Sequence, residues 1–303
     1  MTLSSLFRIA KLLFFLWMTY VVIQRFSDAP LNGNEVTALL HLIEGQPLTF
    51  FIVVMLMPLN WLLEMVKWRL LFPTKTLSFS QAGVSVLGGL AAGFASPARI
   101  GEFAGRALLL PAPLRKPAVY LSALSGLSQS VVTIGAAIIG WWISPLVATS
   151  WWWLSCAVIF ILLVVYFQFS AFAARLNAWP VLAIPESDIP TTKRKSLLLG
   201  VSLIRYAVYV IQYALLFQLV GVHISITALA SGVSFLLLLQ AVSPLAPLFD
   251  IITRSGTAIL LFEQHTAHPQ FLALVPLVIW SINLVLPAFV GYYFIWRWNY
   301  GKE

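Results

Sequence analysis

Six apolar segments, each near the length needed to cross a lipid bilayer, set the fold class of this chain. A transmembrane helix needs about 20 mostly apolar residues. The segments lie at about 9–25, 48–72, 117–143, 151–169, 196–222 and 271–297. Charged residues make up only 9% of the 303 residues, whereas soluble domains carry about a quarter. The composition excludes a soluble enzyme and predicts an all-α integral membrane protein.

Two further apolar stretches, at about 80–110 and 227–262, are each interrupted near the middle by proline and by charge. Each predicts two short helical arms, and therefore a re-entrant hairpin rather than a full span. Non-helical backbone at membrane depth must line a cavity or be buried in protein. We therefore expect both hairpins to contribute to a cavity.

The positive charges predict the orientation of the chain in the membrane. With both hairpins re-entrant, thirteen of the 18 Lys and Arg residues fall on one side and only Arg25 falls on the other. Because cytoplasmic loops carry the excess of Lys and Arg, both termini are expected in the cytoplasm. No small-residue cleavage pattern follows the first segment, so we expect a retained anchor rather than a signal peptide.

The two interrupted stretches resemble each other. Each contains a Gly-Val-Ser triplet, then a Ser-Pro pair, then an acid with an arginine four residues later. These features are Gly83-Val84-Ser85, Ser96-Pro97, Glu102 and Arg106, matched by Gly232-Val233-Ser234, Ser243-Pro244, Asp250 and Arg254. Each half, about 1–145 and 146–303, then contains two spans, a hairpin and a third span, in that order. Because three full crossings per half is an odd number, the sequence predicts a single membrane domain with an inverted 3+3 repeat, as in many transporters.

Charged residues at membrane depth predict a binding site. Arg99, Glu102 and Arg106 are spaced to share one helix face, Arg205 lies near the middle of the fifth span, and Gln129 belongs to a polar stripe on the third. Such charges are rare within membranes and usually functional. The predicted substrate-binding residues are Arg99, Glu102, Arg106, Gln129, Arg205, Asp250 and Arg254.

The balance of these charges favours an anionic ligand. Four arginines against Glu102 and Asp250 leave an excess of two positive charges. The planar guanidinium group binds two oxygens of a phosphate or carboxylate at once. A lipid head group with one phosphate is the expected ligand, and the overall charge of +8 is attributed to orientation and anionic lipid rather than to nucleic acid.

Purely structural interpretations stay open for several of these residues. Glu102–Arg106 and Asp250–Arg254 can be closed salt bridges that only pin the hairpins, and the polar stripe can serve helix packing. Lys67 lies near the predicted cytoplasmic end of the second span, where its side chain can extend towards water. A lysine at this position needs no functional role.

Catalytic and metal-binding patterns are absent from the sequence. There is no Walker A motif, no Gly-x-Ser-x-Gly motif and no clustered histidine set, and the single cysteine, Cys156, excludes a disulfide framework. We expect no metal, no cofactor and no enzymatic activity. An enzyme within the membrane, with Glu102 or Asp250 as its acid or base, is the less favoured alternative.

The segment PARIGEFAGRALLL at 97–110 resembles the Pro-x-Arg-x-Gly-Glu signature of the lysylphosphatidylglycerol synthase transmembrane-region family, also called flippase-like. The resemblance extends over most of the chain, including SGLSQSVVTIGAAIIG around Gln129. The second half departs from the commoner family pattern, because PLAPLFDIITRSG stands in place of a glycine-rich run before a glutamate. This departure is typical of a subgroup.

The resemblance implies a function in lipid transport. In the multiple peptide resistance factors, such a membrane domain flips aminoacylated phosphatidylglycerol, which a separate cytosolic synthase domain makes. We expect this sequence to correspond to the membrane domain alone, in the bacterial inner membrane, translocating an anionic or phosphate-bearing lipid. One alternative is a non-transporting partner that presents lipid, or a polyprenyl-phosphate carrier, to a separate synthase or glycosyltransferase. Another is a transporter of small soluble anions.

Overall fold

The computed structural model describes residues 3–28, 33–72, 77–96, 99–143, 152–171, 188–242 and 247–297. Within these ranges the regular structure is helical and no strand occurs. The first half contains α1 (Leu3–Asp28), α2 (Gly33–Gly45), α3 (Pro47–Leu71), α4 (Phe79–Phe94), α5 (Gly101–Leu108) and α6 (Ala112–Ile143). The second half contains α7 (Trp152–Phe167), α8 (Thr192–Leu219), α9 (Ile226–Val242), α10 (Pro247–Phe262), α11 (Leu274–Trp280), a π-helical turn (Ser281–Val285) and α12 (Leu286–Arg297).

Four helical segments in the described part of the chain are long and apolar enough to cross a membrane. They are Pro47–Leu71, Ala112–Ile143, Thr192–Leu219 and Pro269–Arg297, and they coincide with four of the six predicted spans. Large apolar side chains such as Phe160, Phe289 and Trp296 are exposed on the outside of the bundle. The protein is therefore an all-α, multi-pass membrane protein. The predicted span at 9–25 falls within α1, whereas α7 covers only part of the predicted span at 151–169. The total number of spans stays a prediction.

The stretch at 80–110 forms two helical arms, α4 and α5, that pack directly against each other. Glycines make this contact close: a Cβ atom on Gly105 would lie 2.9 Å from the Cα atom of Gly89, and one on Gly101 would lie 2.4 Å from the carbonyl oxygen of Ala92. The stretch at 227–262 likewise forms α9 and α10. Pro97 and Ser243-Pro244, predicted to break the two stretches, lie outside the described residues.

Helices α3 and α8 pack side by side. Further contacts join α4 to α12, α9 to α6, and α10 to α1. One apolar cluster unites α8 to α11 and includes Phe217 and Phe262, while a second unites α3 to α6 and includes Trp68 and Tyr120. Helices of both clusters contribute polar side chains to one cavity.

Ser85 joins three of these helices through its hydroxyl group. Its Oγ atom accepts a hydrogen bond from the indole Nε1 of Trp68 at 3.1 Å and donates one to the carbonyl oxygen of Arg106 at 2.8 Å. All of these groups are buried. The contact fixes α4 against both α3 and α5.

We expect Ser85→Ala to lower stability by about 2 kcal/mol, because it leaves a buried indole N–H without its acceptor and a buried carbonyl without its donor. The measurement is the thermal unfolding midpoint of the purified protein in detergent. Ser196→Ala is the control, since this exposed hydroxyl only donates to the carbonyl of Thr192 within its own helix. Equal midpoints for the two variants would contradict the structural role of Ser85.

Candidate functional site

A cavity of about 370 Å³ lies between α3, α5, α6, α8, α9, α10 and the π-helical turn. It is lined by polar and apolar side chains together, including Trp61, Trp280 and Leu284. The structure brings every sequence-predicted site residue to this one cavity. These residues are Arg99, Glu102, Arg106, Gln129, Arg205, Asp250 and Arg254.

Glu64 of α3 is the centre of the charge network in the cavity. Its Oε1 atom accepts from Nη2 of Arg106 at 2.7 Å, and its Oε2 atom accepts from Nη1 of Arg205. The Nζ atom of Lys67 lies 3.8 Å from the same Oε2 atom. One buried carboxylate on α3 therefore holds a cation from α5 and a cation from α8.

Glu102 forms a second bridge at the edge of this network. Its Oε1 atom accepts from Nη2 of Arg106 at 2.6 Å, and its Oε2 atom accepts from Nη2 of Arg99 at 2.8 Å. Arg106 is also stacked on Trp68, with its guanidinium carbon 5.1 Å from the ring centroid, a favourable cation–π geometry. Glu64, Glu102 and Trp68 together therefore fix the position of the Arg106 side chain.

Arg99 occupies an unusual backbone conformation for a residue with a side chain. Its φ angle is 58°, in the left-handed region, which costs a non-glycine residue about 1–3 kcal/mol and recurs at functional sites. The conformation places Arg99 directly before α5. Its side chain, 39% exposed, forms the accessible rim of the network.

Arg205 of α8 is held by polar groups from two other helices, α3 and α6. Its Nε atom donates to Oδ1 of Asn60 at 2.9 Å, and its Nη1 atom lies 3.4 Å from Oε1 of Gln129 as well as contacting Glu64. Gln129 in turn lies 3.4 Å from the carbonyl oxygen of Ser202. The predicted polar stripe on α6 therefore orients Arg205 in addition to packing helices.

Asp250 and Arg254 form an ion pair within α10, as the salt-bridge interpretation of the sequence proposed. Tyr213 of α8 lies beside Arg254. Among the described side chains no ion pair joins this couple to Glu64 or Glu102. The Asp250–Arg254 pair therefore lines the same cavity but forms a charged group separate from the network around Glu64.

The cavity has an excess of positive charge and unused hydrogen-bond donors. Five cations line it against three carboxylates, a formal excess of two. The cavity-lining guanidinium N–H groups that are buried and have no partner in the described part of the chain are Nε of Arg99, Nε and Nη1 of Arg106, and Nε of Arg254. Buried donors normally have partners, so the arrangement suits an anion with several acceptor oxygens.

The sequence interpretation of Lys67 is wrong. Extension of this side chain towards water was expected, but the structure leaves it 1% exposed and pointing into the cavity beside Glu64. The reason is that α3 turns this face towards the cavity, where the carboxylate of Glu64 on the same helix lies 3.8 Å from the ammonium group. Glu64, one helical turn before Lys67, also lines the cavity.

Asn283 is a cavity residue that sequence reasoning missed. It lies in the π-helical turn, and its Nδ2 atom donates to Oε1 of Gln212 at 3.0 Å, while Gln212 donates to the carbonyl oxygen of Val53 at 2.9 Å. Pro287 follows four residues later and has no N–H to continue the α-helical pattern. A π turn often marks a functional site, and an asparagine four residues before a proline in an apolar segment was the available signal.

The described residues contain no group of three or more His, Cys, Asp or Glu side chains placed to hold a metal ion. The site therefore consists of arginines, a lysine, carboxylates and neutral polar groups. Neither protein-family models nor curated proteins gave a match to this chain.

Proposed function

We propose that this protein translocates an anionic, phosphate-bearing lipid between the leaflets of the bacterial inner membrane, with both termini in the cytoplasm. The observation that supports it is the cavity, in which five cations face three carboxylates between helices long enough to span a membrane. A phosphodiester head group supplies one negative charge and acceptor oxygens for the unused guanidinium N–H groups. Translocation needs no chemical step.

Exposed residues in the lining of the cavity favour a lipid over a soluble anion. Gly126 lies near the middle of α6, lines the cavity and is exposed, and a Cβ atom there would meet nothing within 4 Å. Phe103 and Ala241 also line the cavity and are exposed. In a spanning helix this position lies at the depth of the hydrocarbon core, where acyl chains can stay while the head group enters.

We infer six spans, two re-entrant hairpins and an inverted repeat, and matching contacts in the two halves support this arrangement. Trp68 of α3 donates to Ser85 of α4, and Tyr206 of α8 donates to Ser234 of α9 at 2.6 Å. Both serines belong to the Gly-Val-Ser triplets. The packing of α4 on α12 matches that of α9 on α6, and α5 on α6 matches α10 on α11.

Membership of the lysylphosphatidylglycerol synthase transmembrane-region family is part of this proposal. It rests on the signature at 97–110, whose residues Arg99, Glu102 and Arg106 line the cavity. A family member of this kind would work with a separate lipid synthase or glycosyltransferase. The excess of positive charge in the cavity supports a lipid with a phosphate in its head group as the substrate class.

Translocation is tested by reconstituting the protein in liposomes that contain fluorescent nitrobenzoxadiazole-labelled phosphatidylglycerol. Dithionite bleaches the label only in the outer leaflet, so translocation increases the bleached fraction over that of protein-free vesicles. We expect faster bleaching of phosphatidylglycerol than of equally labelled phosphatidylcholine, whose head group has no net charge. Bleaching equal to protein-free vesicles would refute transport, and saturable binding without bleaching would support the lipid-presenting partner instead.

A further inference from the structure

The carboxylate of Glu64 makes the contacts that an anionic ligand would make. One oxygen binds the guanidinium of Arg106 on α5, and the other binds the guanidinium of Arg205 on α8. The two non-bridging oxygens of a phosphodiester are also able to bridge two guanidinium groups in this way. Glu64 therefore occupies the position for which an entering phosphate group would compete.

The two arginines held by Glu64 are much more buried than Arg99. Their side chains are 7% and 10% exposed, whereas that of Arg99 is 39% exposed. A phosphate and a carboxylate at the same two guanidinium groups repel each other strongly in a site shielded from water. Full engagement of an anion by Arg106 and Arg205 therefore requires Glu64 to move away.

Lys67 supplies a second partner for the displaced carboxylate. It lies three residues after Glu64 on the same helix, and its Nζ atom is 3.8 Å from Oε2 of Glu64. This distance exceeds that of a hydrogen bond, so the two groups can approach each other further. Glu64 is the carboxylate within ion-pair distance of Lys67 in the described part of the chain.

We propose that Glu64 is an internal competitor of the anionic ligand, holding Arg106 and Arg205 until the phosphate group displaces it onto Lys67. The inference rests on the anion site of the proposed function and adds its regulation. Transport requires binding strong enough for entry and weak enough for release. Glu64 limits the affinity of the arginine pair, and Lys67 is a positioning residue that stabilises the displaced carboxylate.

The test measures binding of two probes, water-soluble dioctanoyl-phosphatidylglycerol and inorganic phosphate, to the purified full chain in a neutral detergent by titration calorimetry. We expect Glu64→Gln to bind the lipid probe about tenfold more tightly than wild type, within the usual range for coupled sites. Glu263→Gln is the matched control, since it removes the same charge from a carboxylate 3.7 Å from Arg25, outside the cavity. Its affinity should equal that of wild type.

A double-mutant cycle tests the role of Lys67. Lys67→Met should weaken binding of the lipid probe in wild type, because the displaced carboxylate then lacks its partner. The same substitution should have no effect in the Glu64→Gln background. Equal weakening in both backgrounds would show that Lys67 contacts the anion directly, and would overturn its role as a partner of the displaced Glu64.

The outcomes separate failure of this inference from failure of the proposed function. If wild type binds the lipid probe and Glu64→Gln binds it equally or more weakly, the competitor is refuted while the anion site stands. If no variant binds either probe, the proposed function itself fails. If the protein binds inorganic phosphate more tightly than the lipid probe, Glu64 is still a competitor of the ligand, but the ligand is a soluble anion rather than a lipid. If Glu64→Gln does not fold, Glu64→Asp replaces it, and its shorter carboxylate should give an affinity above that of wild type.

Discussion

Replacing Arg205 by alanine should reduce translocation of labelled phosphatidylglycerol by about a hundredfold, the scale expected when a buried charge pair in an interface loses one partner. Arg205 lines the cavity from α8 and contacts Asn60 and Glu64. Its loss removes a donor that an anionic head group would use. Glu64 keeps Arg106 and Lys67 as partners, so the variant should still fold. The measurement is the rate of dithionite bleaching in reconstituted liposomes.

Two further variants make the result for Arg205 specific. Arg205→Lys should recover part of the rate, because a lysine keeps the charge but not the forked geometry that contacts Asn60 and Glu64 together. Arg297→Ala removes an exposed arginine that donates to Tyr293 on the same helix and should transport at the wild-type rate. Wild-type transport by Arg205→Ala would show that the cavity cation on α8 has no part in translocation.

Among glycine-to-alanine substitutions in the bundle, Gly291→Ala should lower the stability of the protein the most. A Cβ atom at this position of α12 would lie 2.0 Å from the carbonyl oxygen and 2.6 Å from the carbonyl carbon of Leu87 on α4. These are backbone atoms, so the two helices must separate. Overpacking of this kind costs about 3 kcal/mol, and separation would also displace the α4–α5 hairpin that positions Arg106.

The measurement is the fraction of purified protein that elutes as a single species after heating, compared with wild type. Gly200→Ala is the control, since a Cβ atom on this exposed glycine of α8 meets nothing within 4 Å. The two variants share the same chemical change, so the difference between them reports the helix contact alone. If Gly291→Ala is as heat-resistant as Gly200→Ala, α4 and α12 do not pack as described.

The charged residues of the hairpins could be predicted from the sequence because ionisable groups are rare in apolar segments. The spacing of Arg99, Glu102 and Arg106 predicts one shared helix face, and this is wrong for Arg99. Glu102 and Arg106 lie on α5, whereas Arg99 precedes the helix with a φ angle of 58° and reaches the same cavity from there. The four long apolar helices could be predicted for a similar reason, since bilayer thickness fixes their minimum length.

The centre of the network was harder to predict because its contacts are distant along the chain. Glu64 is 42 residues from Arg106 and 141 from Arg205, and periodicity within one helix does not show which face meets another helix. Lys67 has the sequence position of a lysine that extends to the membrane surface, and only helix packing places it inside. Asn283 depends on a π turn, a local change of helical geometry that hydropathy does not report.

The most direct test of the central claim, that the cavity binds a phosphate-bearing lipid, is mass spectrometry of the lipids that co-purify with the detergent-extracted protein. Wild type, Arg205→Ala and Arg297→Ala are compared with the lipids of the membrane from which they were extracted. We expect one anionic lipid to be enriched with wild type and with Arg297→Ala, and to be lost with Arg205→Ala. Lipids in the proportions of the bulk membrane for all three proteins would contradict it.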